Sequence, residues 1–239
     1  MHRSATRGSR VTEPAHNESV GRKPAEQNRD RVARRRVDKF EERRAELAEA
    51  ARQTLAEQGY ARTSLRDIAQ NSAFSHGVLH YYFADKFDLI TYCVRHYKAE
   101  CAKRYDSIVA TASTPEELLK GIAFSMAATL RTDAAMHRLW YDLRNQSQFE
   151  EAFRADAQAI DQSLEQMIWR IASRLAELSG ATIGVTPAVA YALADGLFQH
   201  ALLRYLSGDE AATGWLIENM HLLMPSLLVP AGSAGPGAQ

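Results

Sequence analysis

Glycine and proline almost vanish from the middle of this sequence, and that scarcity limits its architecture more than any other feature. The chain carries 13 glycines and 7 prolines in 239 residues, and both types gather toward the two ends. A long stretch without breakers lets helices extend and offers few of the turns a sheet needs, so the expected fold class is all-α. Apolar residues make up 46% and charged residues 24%, which suits one large soluble domain or two small ones. No apolar run reaches the ~20 residues of a membrane span, and the N-terminus lacks the hydrophobic core of a secretion signal. A cytoplasmic location with no membrane partner is expected. Cys93 and Cys101, placed on one helix, would lie about 12 Å apart along its axis, too far for a disulfide. Reduced, packed thiols are expected, with redox sensing as the alternative.

The formal charge is zero overall, yet acids and bases are unevenly spread. Residues 1–40 carry a net +6, residues 41–105 a net +1 and residues 106–239 a net −7. A basic arm ahead of an acidic body suits a chain whose N-terminal end meets a polyanion while its C-terminal part stays away from it.

Residues 1–37 are rich in Arg, Ser, Glu, Asn and Pro without apolar periodicity, and read as a disordered basic arm. A first helix is expected over about 39–58, where Leu47, Ala48, Ala51 and Leu55 repeat at helical spacing until Gly59 stops it. Thr63 or Ser64 can cap a short second helix, and Ser75 a third. Asp85 opens a longer helix expected to reach about Ile108. Two short helices joined by a tight turn, flanked by one helix on each side, make a helix-turn-helix unit at about 64–83 within a domain spanning 38–105. Longer helices follow at about 115–130, 133–147, 148–179, 186–207 and 210–224, forming a second domain over 106–228. The stripe Ile160, Leu164, Met167, Ile171, Leu175 and Leu178 supports the longest of them. Residues 229–239 read as a flexible tail.

The most specific stretch is Ser64-Leu-Arg-Asp-Ile-Ala-Gln-Asn-Ser-Ala-Phe-Ser-His-Gly-Val-Leu-His-Tyr-Tyr-Phe83, followed by Ala84-Asp85-Lys86-Phe87-Asp88-Leu89. From about Arg43 to Cys101 the chain resembles the DNA-binding domain of the tetracycline-repressor (TetR) family. Ala50-Ala51, Leu55, Gly59-Tyr60, Thr63-Ser64-Leu65, Ile68-Ala69, Ser75, Gly77, Leu79, Tyr82-Phe83, Lys86 and Leu89 fall in register with that pattern. The resemblance implies an N-terminal three-helix DNA-binding domain ahead of a larger helical ligand-binding and dimerisation bundle. Three positions depart from it. Ala73 stands where the turn usually has glycine, which moves any strained conformation to Asn71 or Ser72. Phe74 replaces a smaller valine, and His80 a common tyrosine, which brings a pH dependence to a DNA contact.

The residues themselves support a reading helix. Leu55, Leu65, Ile68, Ala69, Leu79 and Phe83 can close a small core that fixes the third helix. Gly77 lets backbone approach a phosphate or base edge, while His76, Val78 and His80 occupy the turns that reach base edges in the major groove. The family's pattern implies phosphate contacts from Tyr81 and Lys86, with Thr63, Ser64 and Ser75 assisting at the helix starts. Core packing for the tyrosines and a solvated charge for Lys86 are the alternative. His76 and His80 also have metal-ligand spacing, but no third ligand is evident nearby, so no metal is expected.

The segment Asp195-Gly-Leu-Phe-Gln-His-Ala-Leu-Leu-Arg-Tyr-Leu206 resembles the dimerisation helix of the choline-responsive betaine-synthesis repressor subgroup. Leu193, Leu197, Ala201, Leu202 and Tyr205, with Leu216 and Met220 of the next helix, are expected at a four-helix homodimer interface. Phe124, Met126, Trp140, Tyr141, Arg144, Phe149, Trp169 and Phe198 are the candidates for lining an effector pocket. An arginine among aromatics suits an acidic apolar molecule, and an aromatic ring suits a quaternary ammonium. Core packing is the alternative for each, with Asp142, Glu150 or Glu151 as partner of Arg144.

These features imply a ligand-responsive homodimeric regulator, most simply a repressor, that binds a palindromic operator in double-stranded DNA and is released by a small apolar or amphipathic effector. The basic arm adds phosphate affinity or is a solvated tail. The alternatives are a helical interaction module that has lost DNA binding, or a helical enzyme. No catalytic triad, phosphate loop, metal cluster or carboxylate pair favours the enzyme, and no cofactor is expected.

Overall fold

The computed structural model describes residues 24–232. Among these the chain forms ten α-helices and two three-residue strands, an all-α fold. No described helix is long and apolar enough to cross a membrane. Contacts divide the chain between Glu41 and Glu42, inside helix α1 (Pro24–Arg62). In the first unit the described side chains are exposed, save the half-buried Phe40.

Helix α1 begins at Pro24, well before the expected start near residue 39. Proline is pre-organised for a first helical position, and no breaker follows it until Gly59, so the chain needs no apolar stripe to continue. This part of the expected disordered arm is therefore helical, while residues 1–23 of it lie outside the described residues. Gly59 ends the regular helix at φ 75°, ψ 177°, a region essentially reserved for glycine.

Ser64 then starts α2 (Leu65–Gln70) with a full capping box. Its hydroxyl accepts from the Asp67 amide, and the Asp67 carboxylate accepts from the Ser64 amide, which satisfies two otherwise orphaned donors. The Ser64 hydroxyl, which also donates to that carboxylate, and then the Ser64 amide hold the Asp67 carboxyl below its ordinary value. Asn71 closes α2 at φ −99°, so the left-handed conformation considered for it is absent. Ser75 caps α3 (His76–Tyr82), and Asp85 caps α4 (Lys86–Lys103) by accepting from the Asp88 amide at 2.9 Å.

The expected helix to Ile108 breaks at Arg104 and Tyr105, where α5 (Asp106–Thr111) begins. The bundle continues with α6 (Pro115–Thr132), α7 (Ala134–Gln146), α8 (Arg154–Ser179), α9 (Pro187–Leu206) and α10 (Ala212–Ser226). α8 starts later than its expected 148, after a 3₁₀ turn at Glu151–Phe153. α10 packs on α6 and α9, α8 on α9, and α4 on both α7 and α8.

The tail differs from the expected flexible segment. Strand β1 (Ala181–Ile183) pairs antiparallel with β2 (Leu228–Pro230), Thr182 standing opposite Val229. Runs this short carry no readable alternation, so the sequence hides them. Residues 233–239 of the tail lie outside the described residues.

Candidate DNA-reading helix and effector cavity

Helix α3 is held by its own apolar side, by α2, and by apolar residues of α1 and α4 in the same core. Leu55, Ile68, Leu79, Phe83 and Leu89 are all 0% exposed, and this fully desolvated cluster fixes how α3 projects. Arg44 of α1 locks the junction. Its guanidinium lies 4.7 Å from the Phe83 ring centroid and 4.5 Å from that of Tyr92, and donates to the Asp88 carboxylate at 2.6 Å. A planar cation stacked on rings and hydrogen-bonded at its edge is a low-freedom arrangement.

Outward from that core, α3 offers a polar face. His76, Gly77, His80 and Tyr81 are exposed, Tyr81 at 73%. The rings of His76 and His80 meet edge to face, their centroids 4.4 Å apart. A Cβ added at Gly77 would meet nothing within 4 Å, so the chain's own packing does not demand glycine there. Val78 is half-buried against the core, with part of its side chain left for an external contact. Ser64 and Ser75 are exposed but already engaged as caps. Lys86 is half-buried at the first turn of α4. Phe74 finds its room beneath the Arg43 guanidinium, 4.7 Å from the ring centroid.

Thr63 departs from the expected set. It is 2% exposed and its hydroxyl donates to the Gly59 carbonyl at 2.7 Å, so it closes the end of α1 and turns away from any phosphate.

Within the bundle, α4, α6, α7, α8 and α9 line a partly open cavity of about 50 Å³. Met126, Leu164, Met167, Ile168 and Phe198 make its apolar wall, and Lys98, His137, Tyr141, Tyr191 and Asp195 its polar one. Two hydrogen-bond networks organise the polar side. In the first, Asp195 accepts from the Tyr141 hydroxyl at 2.8 Å and from Arg144 at 2.6 Å, and Asp161 accepts from the Tyr191 hydroxyl at 2.6 Å and pairs with Arg144 at 3.2 Å. Burial pushes the phenols of Tyr141 and Tyr191 up.

The second network runs from Arg104 to Asp133, Tyr97, His137 and Lys98. Arg104 and the Tyr97 hydroxyl donate to Asp133 at 3.2 and 3.0 Å. With its proton so committed, the Tyr97 oxygen accepts from His137 Nε2, 3.1 Å away. This assigns the Nε2–H tautomer and leaves Nδ1 to accept from Lys98 Nζ at 3.2 Å. Burial holds His137 well below its ordinary value, and the Lys98 charge adds to that effect. Burial also brings Lys98 down to about 8, so at neutral pH it remains an ammonium.

Residues 47–93 match the family described as bacterial regulatory proteins, tetR family. Over 182 residues the chain is 30% identical to the HTH-type transcriptional regulator BetI of Brucella canis, covering 72% of this chain and 86% of that relative. The chain belongs to the TetR family. Members of the TetR family are transcriptional regulators that bind DNA through a helix-turn-helix, and are not enzymes. The fold agrees. A TetR regulator from Haloarcula marismortui superposes with TM-score 0.65 at 17% identity, over 79% of this chain and 100% of that one. FadR of Bacillus subtilis, solved with stearoyl-CoA, gives 0.60 at 17%, over 76% and 96%.

Against the expected pocket of this TetR-family chain, Met126, Tyr141 and Phe198 do line the cavity. Trp140 is 0% exposed, with its ring centroid 5.6 Å from Lys98 Nζ. Phe124 is 54% and Phe149 83% exposed, and Trp169 is half-buried, so none of the three reaches the cavity. Phe124 fails because α6 buries Leu118, Ile122, Met126 and Leu130 on the opposite stripe. Arg144 takes Asp161 and Asp195 as partners rather than Asp142, Glu150 or Glu151. Lys98 and His137, a buried charge and its neutral partner, also line the cavity, and no local sequence pattern marks them.

The expected interface set also divides. Ala201, Leu202, Leu216 and Met220 are 0–3% exposed within this chain's own core. Leu197 and Tyr205 are half-buried, and Leu193 is 44% exposed. The apolar face left outside is Val189, Leu193, Leu203 and Leu206 on α9, with Leu222 of α10, each 43–72% exposed. A helix apolar on two sides gives no sequence clue to which side turns inward.

Proposed function

We propose that this TetR-family regulator is a homodimeric repressor whose two copies of α3 read a palindromic operator, and that a small apolar or amphipathic effector entering the bundle cavity releases it. The observation that carries the reading is the course of α4. One unbroken helix holds Lys86 at its DNA-side start and Lys98 in the cavity wall, about 18 Å apart along the axis. The cavity of about 50 Å³ lies far below the roughly 300–1,000 Å³ of an occupied small-molecule site. An effector therefore has to part the walls, and α4 is one of them. Displacing it moves the Arg44 junction and α3 with it, which changes the spacing of two reading helices built for half-sites about 34 Å apart.

In this reading, residues 38–105 serve DNA and residues 106–228 serve effector and partner. The α9 stripe Val189, Leu193, Leu203 and Leu206 meets its copy, leaving Leu197 and Tyr205 at the margin. The basic N-terminal arm adds sequence-independent phosphate affinity, and the protein works in the cytoplasm. Replacing Leu203 by Glu, which costs nothing in the core at 64% exposure, should halve the sedimenting mass. A dimer that persists would place the interface elsewhere.

The reading is tested by selecting purified protein against random duplex DNA. A recovered palindrome is expected. Lys86→Ala should weaken binding to all sequences alike and flatten the salt slope by about one unit, whereas His76 or Val78 substitutions should shift base preference. Recovery of nothing above background at low salt would favour the interaction-module alternative.

A further inference from the structure

We propose that the effector is an apolar carboxylate whose charge is received by Lys98; the inference rests on the reading of the bundle cavity as the effector site. Lys98 is 5% exposed and lines that cavity. Its Nζ meets a neutral His137 nitrogen at 3.2 Å and the faces of Trp140 and Tyr97 at 5.6 and 5.8 Å. Among the described residues no carboxylate stands within ion-pairing distance of it.

The surrounding charges are treated differently. Arg144 holds two carboxylates and Arg104 one. Asp195 lines the same cavity, but its two oxygens are committed to Tyr141 and Arg144. The wall thus presents one ammonium that no carboxylate among the described residues contacts, the surplus charge of the Asp161 and Asp195 pair on Arg144 reaching it only through space. An ammonium has three donors, and a buried charge without a contacting counter-ion is costly, so a ligand that brings a carboxylate into hydrogen-bond contact gains what the free protein lacks.

The rest of the wall selects the remainder of the molecule. Met126, Leu164, Met167 and Ile168 suit a hydrocarbon tail, and the two thioethers can repack around it. The tyrosines and Phe198 would otherwise suit a quaternary ammonium. Lys98 opposes such a cation inside the same small space, and Arg144 already shares the Asp195 charge. Arg144, the sequence-level candidate for an acidic ligand, is already neutralised.

The test uses the full-length protein and three matched probe series: straight-chain carboxylates from butanoate to decanoate, the corresponding alcohols, and the corresponding alkyltrimethylammoniums. Binding is read by thermal stabilisation and titration calorimetry. Carboxylates should stabilise the wild type and the other two series should not. Lys98→Met should weaken the best acid about 10- to 100-fold, the usual loss of a charge-assisted contact, while leaving alcohols unchanged. The wild-type ranking needs no substitution, so a poorly folding variant leaves the test intact. Acid affinity unchanged in Lys98→Met, equal or better binding of alcohols or ammoniums, or no acid binding at millimolar concentration would each overturn the inference. Tighter binding of a coenzyme A thioester than of its free acid would do the same. Release of selected DNA is measured alongside. Lys98-dependent acid binding that leaves DNA bound would overturn the repressor reading and keep the inference; release by neutral or cationic probes alone would do the reverse.

Discussion

Asp195→Ala is expected to unfold at markedly lower urea, losing about 3 kcal/mol of stability. The Asp195 carboxylate is 13% exposed and joins α9 to α7 through Arg144 at 2.6 Å and Tyr141 at 2.8 Å. Its removal leaves the Tyr141 hydroxyl buried without an acceptor and takes one of two carboxylates from Arg144. The second, Asp161 at 3.2 Å, keeps the loss from being larger. Asp195→Asn, which keeps an acceptor but no charge, should fall between. A loss below about 1 kcal/mol for the alanine variant would mean that water replaces the carboxylate, and that the network does not tie the two helices.

Lys98→Met should have the opposite sign, with a gain of about 3 kcal/mol at pH 7. Burial lowers Lys98 from an ordinary 10.5 to about 8 in the folded chain. Between those values the unfolded chain holds a proton that the folded chain lacks, so wild-type stability from this group rises with pH across the window. Below about pH 8 the cost of burying the charge is fully present, about 3 kcal/mol for a displacement of this size. The advantage of Lys98→Met should therefore be constant up to about pH 8 and shrink toward pH 10.5. Other groups titrating there, Cys93 and the buried tyrosines, are common to both proteins and cancel in the difference. His137 is already neutral throughout, because burial holds it well below its ordinary value. Parallel urea titrations at several pH values measure the difference, and a gap that widens with pH would mean Lys98 is not a buried cation.

The helix-turn-helix was legible because its signals are local and mutually consistent. Ser64 and Ser75 are caps, Gly59 is a stop, and Leu65, Ile68 and Leu79 fall on the faces that are buried. The stripe of α8 was legible for the same reason, with Leu164, Ile171 and Leu175 all buried. What stayed hidden depends on pairing across long separations. Arg144 meets Asp195 51 residues away, and nothing in either neighbourhood announces it. Lys98 sits beside Glu100 and Lys103 in what reads as a solvated segment, and only the packing of α7 and α8 on α4 reveals it as interior. Which residues of α9 turn into the chain's own core was not legible, because that helix offers two apolar sides. The N-terminal part of α1 was missed because a helix polar all round leaves no periodicity to read.

The cavity wall has a consequence for how such a regulator can change over generations. Its single cation sits on α4, the helix that also carries the DNA-side Lys86, while the apolar part of the wall belongs to α6, α8 and α9. On the proposed mechanism, shape selection and signal transmission are written on different helices. Substitutions at Met126, Leu164 or Met167 can retune which hydrocarbon tail is accepted while the lever to DNA stays intact. A substitution on α4 alters what is sensed and what is done about it at once, so new effector preferences are most accessible through the walls that do not move the reading head.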